Sequence, residues 1–125
     1  MTISKTLIYN NTKEKLINIQ IKFANSYLTR LRGLMLKKNI NYSLALKINN
    51  NSKISSSIHT CFMFFEIDVF FVDEHMKIFE IARLKPWKMY TPNKSAKYII
   101  EFKKGTLKNG LINLGDEIEF VCENS

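Results

Sequence analysis

Short runs of alternating apolar and polar residues recur along this sequence, and this period of two constrains the fold more than any other feature. In the clearest run, Ile17, Ile19, Ile21 and Phe23 are separated from one another by single polar residues. Successive side chains of a β-strand point to opposite faces, so this run places its apolar residues on one face. The pattern predicts strands with one buried face.

The alternating and apolar runs predict eight strands and two short helical segments. The predicted strands are residues 5–9, 16–23, 43–48, 58–64, 67–72, 77–82, 97–102 and 117–121. A short helix is predicted for residues 25–32, ended by Gly33, and a helical turn within residues 103–110, ended by Gly110. We therefore predict a mainly β fold with a minor helical part, either a small β-barrel or a sandwich-like fold.

The chain has the size of one domain. Its 125 residues, of which 46% are hydrophobic, can bury a single core. No internal repeat occurs, and no linker divides the sequence. We therefore predict one domain over residues 1–125.

Neither an export signal nor a membrane span is recognisable in the sequence. The apolar run at residues 7–9 is far shorter than a signal peptide requires. The longest apolar stretch, residues 61–72, contains two acids and is too short to cross a bilayer as a helix. We expect a soluble cytoplasmic protein with no membrane partner, in which Cys61 and Cys122 remain thiols.

The net charge of +8 raises the question of nucleic-acid binding, because clustered cationic side chains neutralise phosphates. Only three of the 19 cationic residues are arginines, although specific readout depends on arginine forks. The lysines are also spread along the chain, and Lys, Asn and Ile together are what an AT-rich coding sequence would produce. A small polar molecule or a protein is therefore the favoured partner over nucleic acid.

Two acids interrupt apolar strands, because Asp68 and Glu101 each lie between two large apolar residues. A buried carboxylate must be paired or hydrogen-bonded, so each acid implies a basic side chain, backbone amides or a ligand. The candidate partners of Asp68 are Arg30, Arg32 and His59. A structural role is the favoured interpretation of both acids, and ligand binding is the alternative.

Histidine and cysteine occur without the spacing of a metal site or a catalytic pair. His59, Cys61, Asp68 and His75 are competent ligands, but no C-x-x-C or H-x-x-x-H pair is present. On one strand, the His59 and Cys61 side chains would be about 7 Å apart at their roots, too far for a direct hydrogen bond. We therefore predict no metal, no other cofactor and no catalytic residue.

The single tryptophan lies in the segment LKPWKMY at residues 84–90. Lys85, Trp87, Lys88 and Tyr90 could form a surface that stacks a base or sugar and holds a phosphate. A lone tryptophan is more often a core anchor, so burial of Trp87 is the favoured interpretation.

Four segments resemble, in order and spacing, the family called domain of unknown function 192. They are ANSYLTRLRGLM at residues 24–35, SIHTCFMFFEIDVFFVDEHMKI at 57–78, LKPW at 84–87 and AKYIIEFKKGTLKNGLINLGDEI at 96–118. The resemblance covers residues 23–120. It implies a compact, mainly β single domain of archaea or bacteria with no established activity.

Individual positions carry this resemblance. The matching residues are Arg30, Gly33, Leu34, Met35, His59, Thr60, Phe62, Met63, Ile67, Asp68, Trp87, Glu101, Gly105, Gly115 and Asp116. Two positions depart from the family pattern, because Phe64 replaces a common basic residue and Glu66 replaces a common proline. A ligand contact made by that basic residue in relatives would be lost or replaced here.

The leading functional hypothesis is a non-enzymatic module that binds a small ligand or a protein. Its candidate ligand-binding residues are Arg30, His59, Asp68, Trp87 and Glu101. The first alternative is a small enzyme in which Asp68 or Glu101 acts with His59 as acid and base, which requires these groups in one cleft. The second is a nucleic-acid-binding module, which requires a continuous lysine surface and binding that weakens with salt.

Overall fold

The computed structural model describes residues 4–24, 42–48, 56–61 and 63–124. Within these residues the chain forms nine strands and no helix. The strands are β1 (Ser4–Asn10), β2 (Lys15–Ala24), β3 (Ser43–Lys47), β4 (Ile58–His59), β5 (Ile67–Val72), β6 (Ile78–Leu84), β7 (Met89–Tyr90), β8 (Tyr98–Lys103) and β9 (Ile118–Asn124). The mainly β prediction is confirmed, and the helix predicted for residues 25–32 lies outside the described residues.

Seven strands form one mixed sheet in the order β6-β5-β8-β3-β2-β1-β9. Strands β2 and β3 pair in parallel, and the other neighbours pair antiparallel. The sheet is not closed into a barrel: in the described chain, β6 and β9 remain its edges and meet only near a bridge between Lys77 and Glu117. The barrel alternative is therefore wrong, and the fold is sandwich-like.

All seven strands of this sheet contribute to one buried cluster, the inner core. It consists of Ile8, Ile17, Ile21, Ala45, Phe70, Val72, Ile78, Ile100, Phe102, Ile112 and Ile118. Side chains from every strand can meet in one cluster only if the sheet curls around it. The curled sheet therefore buries one of its faces within itself.

The opposite face of β3, β5, β6 and β8 packs against a second layer that contains β4 and β7. This outer core consists of Leu44, Leu46, Ile58, Met63, Ile67, Val69, Phe71, Ala82, Leu84, Ala96 and Ile99. Tyr90 of β7 stacks on Phe71 with ring centroids 5.7 Å apart, and its hydroxyl donates to Glu80 of β6. Strand β5 is consequently buried on both faces.

Two local predictions are wrong. Among the described residues of the predicted strand at 58–64, only Ile58 and His59 are in a strand, and this strand pairs with β7 outside the large sheet. The chain turns directly after them, where the Met63 N–H donates to the Thr60 carbonyl at 3.3 Å. The helical turn predicted within residues 103–110 is absent, because Gly105 adopts a φ of 88° immediately after β8 and reverses the chain.

Candidate functional site

The buried Thr60 organises the turn at residues 85–88, although the two segments are far apart in the sequence. Its hydroxyl donates to the Lys85 carbonyl at 2.6 Å and accepts from the Lys88 N–H at 2.8 Å. Its backbone N–H donates to the Lys88 carbonyl at 2.8 Å, and its carbonyl accepts from the Trp87 N–H at 2.9 Å. Thr60 therefore fixes the turn at residues 85–88 through both its hydroxyl and its backbone groups.

Trp87 is held by this turn in an unusual conformation. Its φ is 64°, and its side chain is 61% exposed. The prediction that Trp87 is a core anchor is therefore wrong. A left-handed conformation brings Cβ close to the following carbonyl, which costs about 1–2 kcal/mol for a residue other than glycine. A bulky residue keeps such a conformation only where its surroundings impose it.

Exposed apolar side chains and several cations lie at the end of the large sheet where β5 begins and β6 and β8 end, and Trp87 follows β6 at this same end. Phe64 is 55% exposed and Met89 is 75% exposed. Met63, which precedes Phe64, donates to the same Thr60 carbonyl as Trp87. We call this region the basic aromatic end; it comprises Phe64, Arg83, Lys85, Trp87, Lys88, Met89, Lys103, Lys104 and Lys108.

Two carboxylates lie at the basic aromatic end, and both have cationic partners. Glu66 pairs with Lys104 at 3.4 Å. Asp68 accepts a hydrogen bond from Arg83 Nε at 2.7 Å. The predicted need of Asp68 for a partner is confirmed, although Arg83 was not among its predicted partners. The hydrogen bond from Arg83 and the charge of Asp68 raise the pKa of the Arg83 guanidinium above its ordinary value.

Asp68 and Glu101 lie on opposite faces of the large sheet. Asp68 lies directly across from Phe102 of the inner core, whereas Glu101 lies across from Val69 of the outer core. Residues directly opposite each other on neighbouring strands share a face. Asp68 is 8% exposed and Glu101 is fully buried. The structure therefore does not bring these two predicted site residues together.

His59 lies in the outer layer, close to the turn that carries Trp87. It is directly opposite Met89 in the β4–β7 pair, and its Nδ1 accepts from the Cys61 N–H at 3.3 Å. Both cysteines are free thiols. Of the five predicted site residues, His59 and Trp87 thus share one region, and Arg30 lies outside the described residues.

A polar cluster that was not predicted as a site anchors the segment between β8 and β9. Asp116 Oδ2 accepts from Asn10 Nδ2 at 2.9 Å, from Lys13 Nζ at 2.7 Å and from the Asn113 N–H at 2.8 Å. Burial raises the pKa of this carboxyl, but the bonds from Lys13, Asn10 and Asn113 outweigh burial and leave the pKa below its ordinary value. Asn113 is close to Asp116 in sequence, but Asn10 and Lys13 are 106 and 103 residues away, too far for a motif to link them.

Within residues 4–24, 42–48, 56–61 and 63–124, no three His, Cys, Asp or Glu side chains form a group that could hold a metal ion. The same part of the chain contains no helix of sufficient length and apolarity to cross a membrane.

Comparison with known proteins shows the family of this chain. A family model described as Uncharacterized ACR, domain of unknown function 192, matches residues 8–120. A UPF0127 protein from Thermococcus sibiricus is 37% identical over 117 residues, which cover 94% of this chain and 76% of the relative. A UPF0127 protein from Pyrococcus furiosus is 35% identical over 111 residues, which cover 89% and 95%. The chain belongs to this uncharacterised family, as its resemblance predicted.

Two solved structures share the fold at 14% sequence identity. A putative transcription regulator from Sinorhizobium meliloti has a TM-score of 0.77, with 94% of each chain covered. A protein of unknown function from Novosphingobium aromaticivorans has a TM-score of 0.72, with 92% of this chain and 83% of that chain covered. At this level of identity, the likeness shows a common fold alone.

Proposed function

We propose that this protein is a non-enzymatic binding module of the cytoplasm that holds an anionic partner at the basic aromatic end. One observation carries the proposal: the turn built on Thr60 holds Trp87 exposed, in a left-handed conformation, between Lys85 and Lys88. Strained residues are concentrated at binding and catalytic sites, because folding alone gains nothing from them. An indole that is mostly exposed also contributes little hydrophobic stabilisation to the fold.

The charges around Trp87 favour an anionic partner. The basic aromatic end carries six cationic side chains, whereas Glu66 and Asp68 are both neutralised by partners within it. Such a surface attracts anions and raises their association rate. Phe64 and Met89 add exposed apolar area beside Trp87. The region therefore offers both ring stacking and charge neutralisation.

Among anionic partners, these features favour a single-stranded nucleic acid over an acidic protein. Sequence-independent binding of single strands combines aromatic side chains that stack bases with cations that follow the backbone. It requires no arginine forks to base edges, so the predominance of lysine does not oppose it.

The enzyme alternative receives less support. Asp68 and Glu101 face different cores, so these two acids do not share a cleft. Asp68 is also separated by the sheet from β4, whose Ile58 packs in the outer core beside His59. Acid–base catalysis needs its groups within hydrogen-bond reach of one substrate. Of the two acid–base pairs predicted from the sequence, only Glu101 with His59 remains a prediction.

The fluorescence of Trp87 tests the proposal directly, because it is the single tryptophan of the chain. Short single-stranded oligonucleotides should quench its emission as bases stack on the indole. The association constant should fall steeply between about 50 and 200 mM salt, since each phosphate contact releases counterions. Poly-glutamate serves as the acidic-protein probe: saturable binding of poly-glutamate without oligonucleotide binding would identify a protein partner instead.

Matched lysine variants separate the site from the overall charge of the protein. The double variant Lys85→Gln and Lys88→Gln should weaken oligonucleotide binding by about tenfold or more and reduce the salt slope by about 1.4, since each phosphate contact with a single strand contributes about 0.7. The control is Lys5→Gln with Lys15→Gln, which removes the same charge from exposed positions on β1 and β2. Equal weakening in both double variants, or no fluorescence change with either polyanion, would refute a specific site at Trp87.

A further inference from the structure

A cavity of about 280 Å³ lies beside the Asp68–Arg83 pair, at the open side of the curled sheet. Strands β5 and β6 form one wall, and the segment from Leu107 to Asn113 forms the other. Clefts in the mouths of curled or barrel-like sheets are frequent sites of small-molecule binding. The volume is below that of typical drug-sized sites and suits a ligand of amino-acid size.

The polar part of the cavity presents a carboxylate and a guanidinium side by side. Their contact uses only Arg83 Nε and Asp68 Oδ1, which are 2.7 Å apart. The two terminal NH₂ groups of Arg83 and the second carboxylate oxygen of Asp68 have no hydrogen-bond partner in the described part of the chain. The Arg83 side chain is 56% exposed, and Lys108 adds a second cation to the cavity lining.

The remainder of the cavity lining is largely apolar. Phe70 and Ile81 contribute from the strands, and Leu107 and Ile112 contribute from the opposite wall. Ile81 is 38% exposed on an edge strand, a position at which soluble proteins usually carry polar residues. A ligand with a charged group and an apolar part would therefore contact complementary surfaces in the same cavity.

From this arrangement we propose that the cavity binds a free α-amino acid with an apolar side chain. The ligand ammonium donates to Asp68, the ligand carboxylate accepts from the terminal NH₂ groups of Arg83 assisted by Lys108, and the side chain lies against Ile81 and Leu107. A simple anion would be repelled by Asp68, and a simple cation would be repelled by Arg83. A zwitterion satisfies both groups and leaves their mutual hydrogen bond intact.

The cavity shares Arg83 and Lys108 with the basic aromatic end, but its contacts with Asp68, Ile81 and Leu107 do not involve Trp87, so leucine binding and stacking of a polyanion on the indole are measured separately. The experiment is a ¹⁵N-correlation NMR titration with leucine, N-acetyl-leucine and leucinamide, each to about 10 mM, a range that detects millimolar dissociation constants. Leucine should shift the amide signals of residues 107–113 and of β5 and β6. N-acetyl-leucine lacks the ammonium and leucinamide lacks the carboxylate. Each should therefore bind at least about tenfold more weakly than leucine.

Variants test the roles of the two charged side chains. Asp68→Asn preserves the side-chain volume and should weaken leucine binding, and Arg83→Gln should do the same. Ile81→Glu, at a half-exposed position, tests the apolar wall in a variant that leaves the ion pair in place. Lys97→Gln, one residue before β8 begins and at the opposite end of this strand from the cavity, is the control and should bind as the wild type does. The proposal is overturned if leucine shifts no signal near the cavity, or if the acetylated and amidated derivatives bind as tightly as leucine.

Discussion

Trp87 holds a backbone conformation that asparagine adopts at lower cost, because a short polar side chain can hydrogen-bond locally at positive φ. We predict that Trp87→Asn raises the free energy of unfolding by about 1 kcal/mol, since the strain is relieved and the lost indole is mostly exposed. Urea unfolding followed by circular dichroism measures this. A loss of stability larger than about 1 kcal/mol would instead show that the contacts of the indole outweigh its strain.

Asp116 should make stability depend on acidic pH. Its folded-state pKa lies below the ordinary value of 3.8, so its contribution is fully present above the unfolded-state pKa and is lost as pH falls through the folded-state pKa. We predict that Asp116→Asn lowers the free energy of unfolding by about 2 kcal/mol at pH 7, because Lys13 loses its ion pair. The difference from the wild type should shrink as the pH falls below 3.8.

Denaturant midpoints measured from neutral to acidic pH check this behaviour. Glu119→Gln, at an exposed position of β9, is the control and should change stability little at any pH. A constant difference between the wild type and Asp116→Asn across the whole pH range would mean that the ionised form of Asp116 has no special stability.

At the scale of elements, one threonine hydroxyl fixes the turn between β6 and β7. We predict that Thr60→Val lowers the free energy of unfolding by about 2 kcal/mol, because the Lys85 carbonyl and the Lys88 N–H lose their partner. Thr60→Ser keeps the hydroxyl and should cost less. Chemical unfolding measures stability, and the emission maximum of Trp87 reports whether the turn has moved. Equal stability of the two variants would show that the hydroxyl contributes nothing.

The sequence predicted correctly those strands that can be recognised from the pattern of their own residues. Strand β5 was identified correctly from its apolar run, and β2 was identified from the alternation that begins at Ile17. The strand predicted at residues 58–64 failed for a different reason. Thr60 takes its hydrogen bonds from residues 85–88, and no local propensity reports a partner so distant.

The candidate site was only partly predictable for the same reason. The burial of Asp68 and Glu101 follows from their apolar neighbours, but the pairing of Asp68 with Arg83 follows from the register between β5 and β6. Their separation onto two faces follows from the register between β5 and β8. The exposure of Trp87 depends on a turn that the sequence alone does not reveal. The sequence therefore indicated which acids are buried, and the register between strands determines which side chains they contact.

At the scale of the whole molecule, hydrogen bonding is uneven across the layers. Strands β5 and β8 are paired on both sides, whereas β4 and β7 share a pairing of two residues. We predict that amides of β5 and β8 exchange with deuterium only on global unfolding, and that those of β4 and β7 exchange through local opening. Hydrogen exchange followed by NMR measures both. Equal protection in the two layers would mean that they unfold as one unit.

The pairing of β1 with β9 also determines when the large sheet can be completed during synthesis. Thr6 lies opposite Cys122, so one edge of the first strand has no neighbour until the ninth strand has left the ribosome. The inner core likewise waits for Ile118 to reach Ile8. High contact order of this kind slows folding, because the entropy of closing a long loop must be paid before the contacts form. The edge of β1 that pairs with β9 therefore stays unpaired in any nascent chain that has not yet exposed residues 118–124.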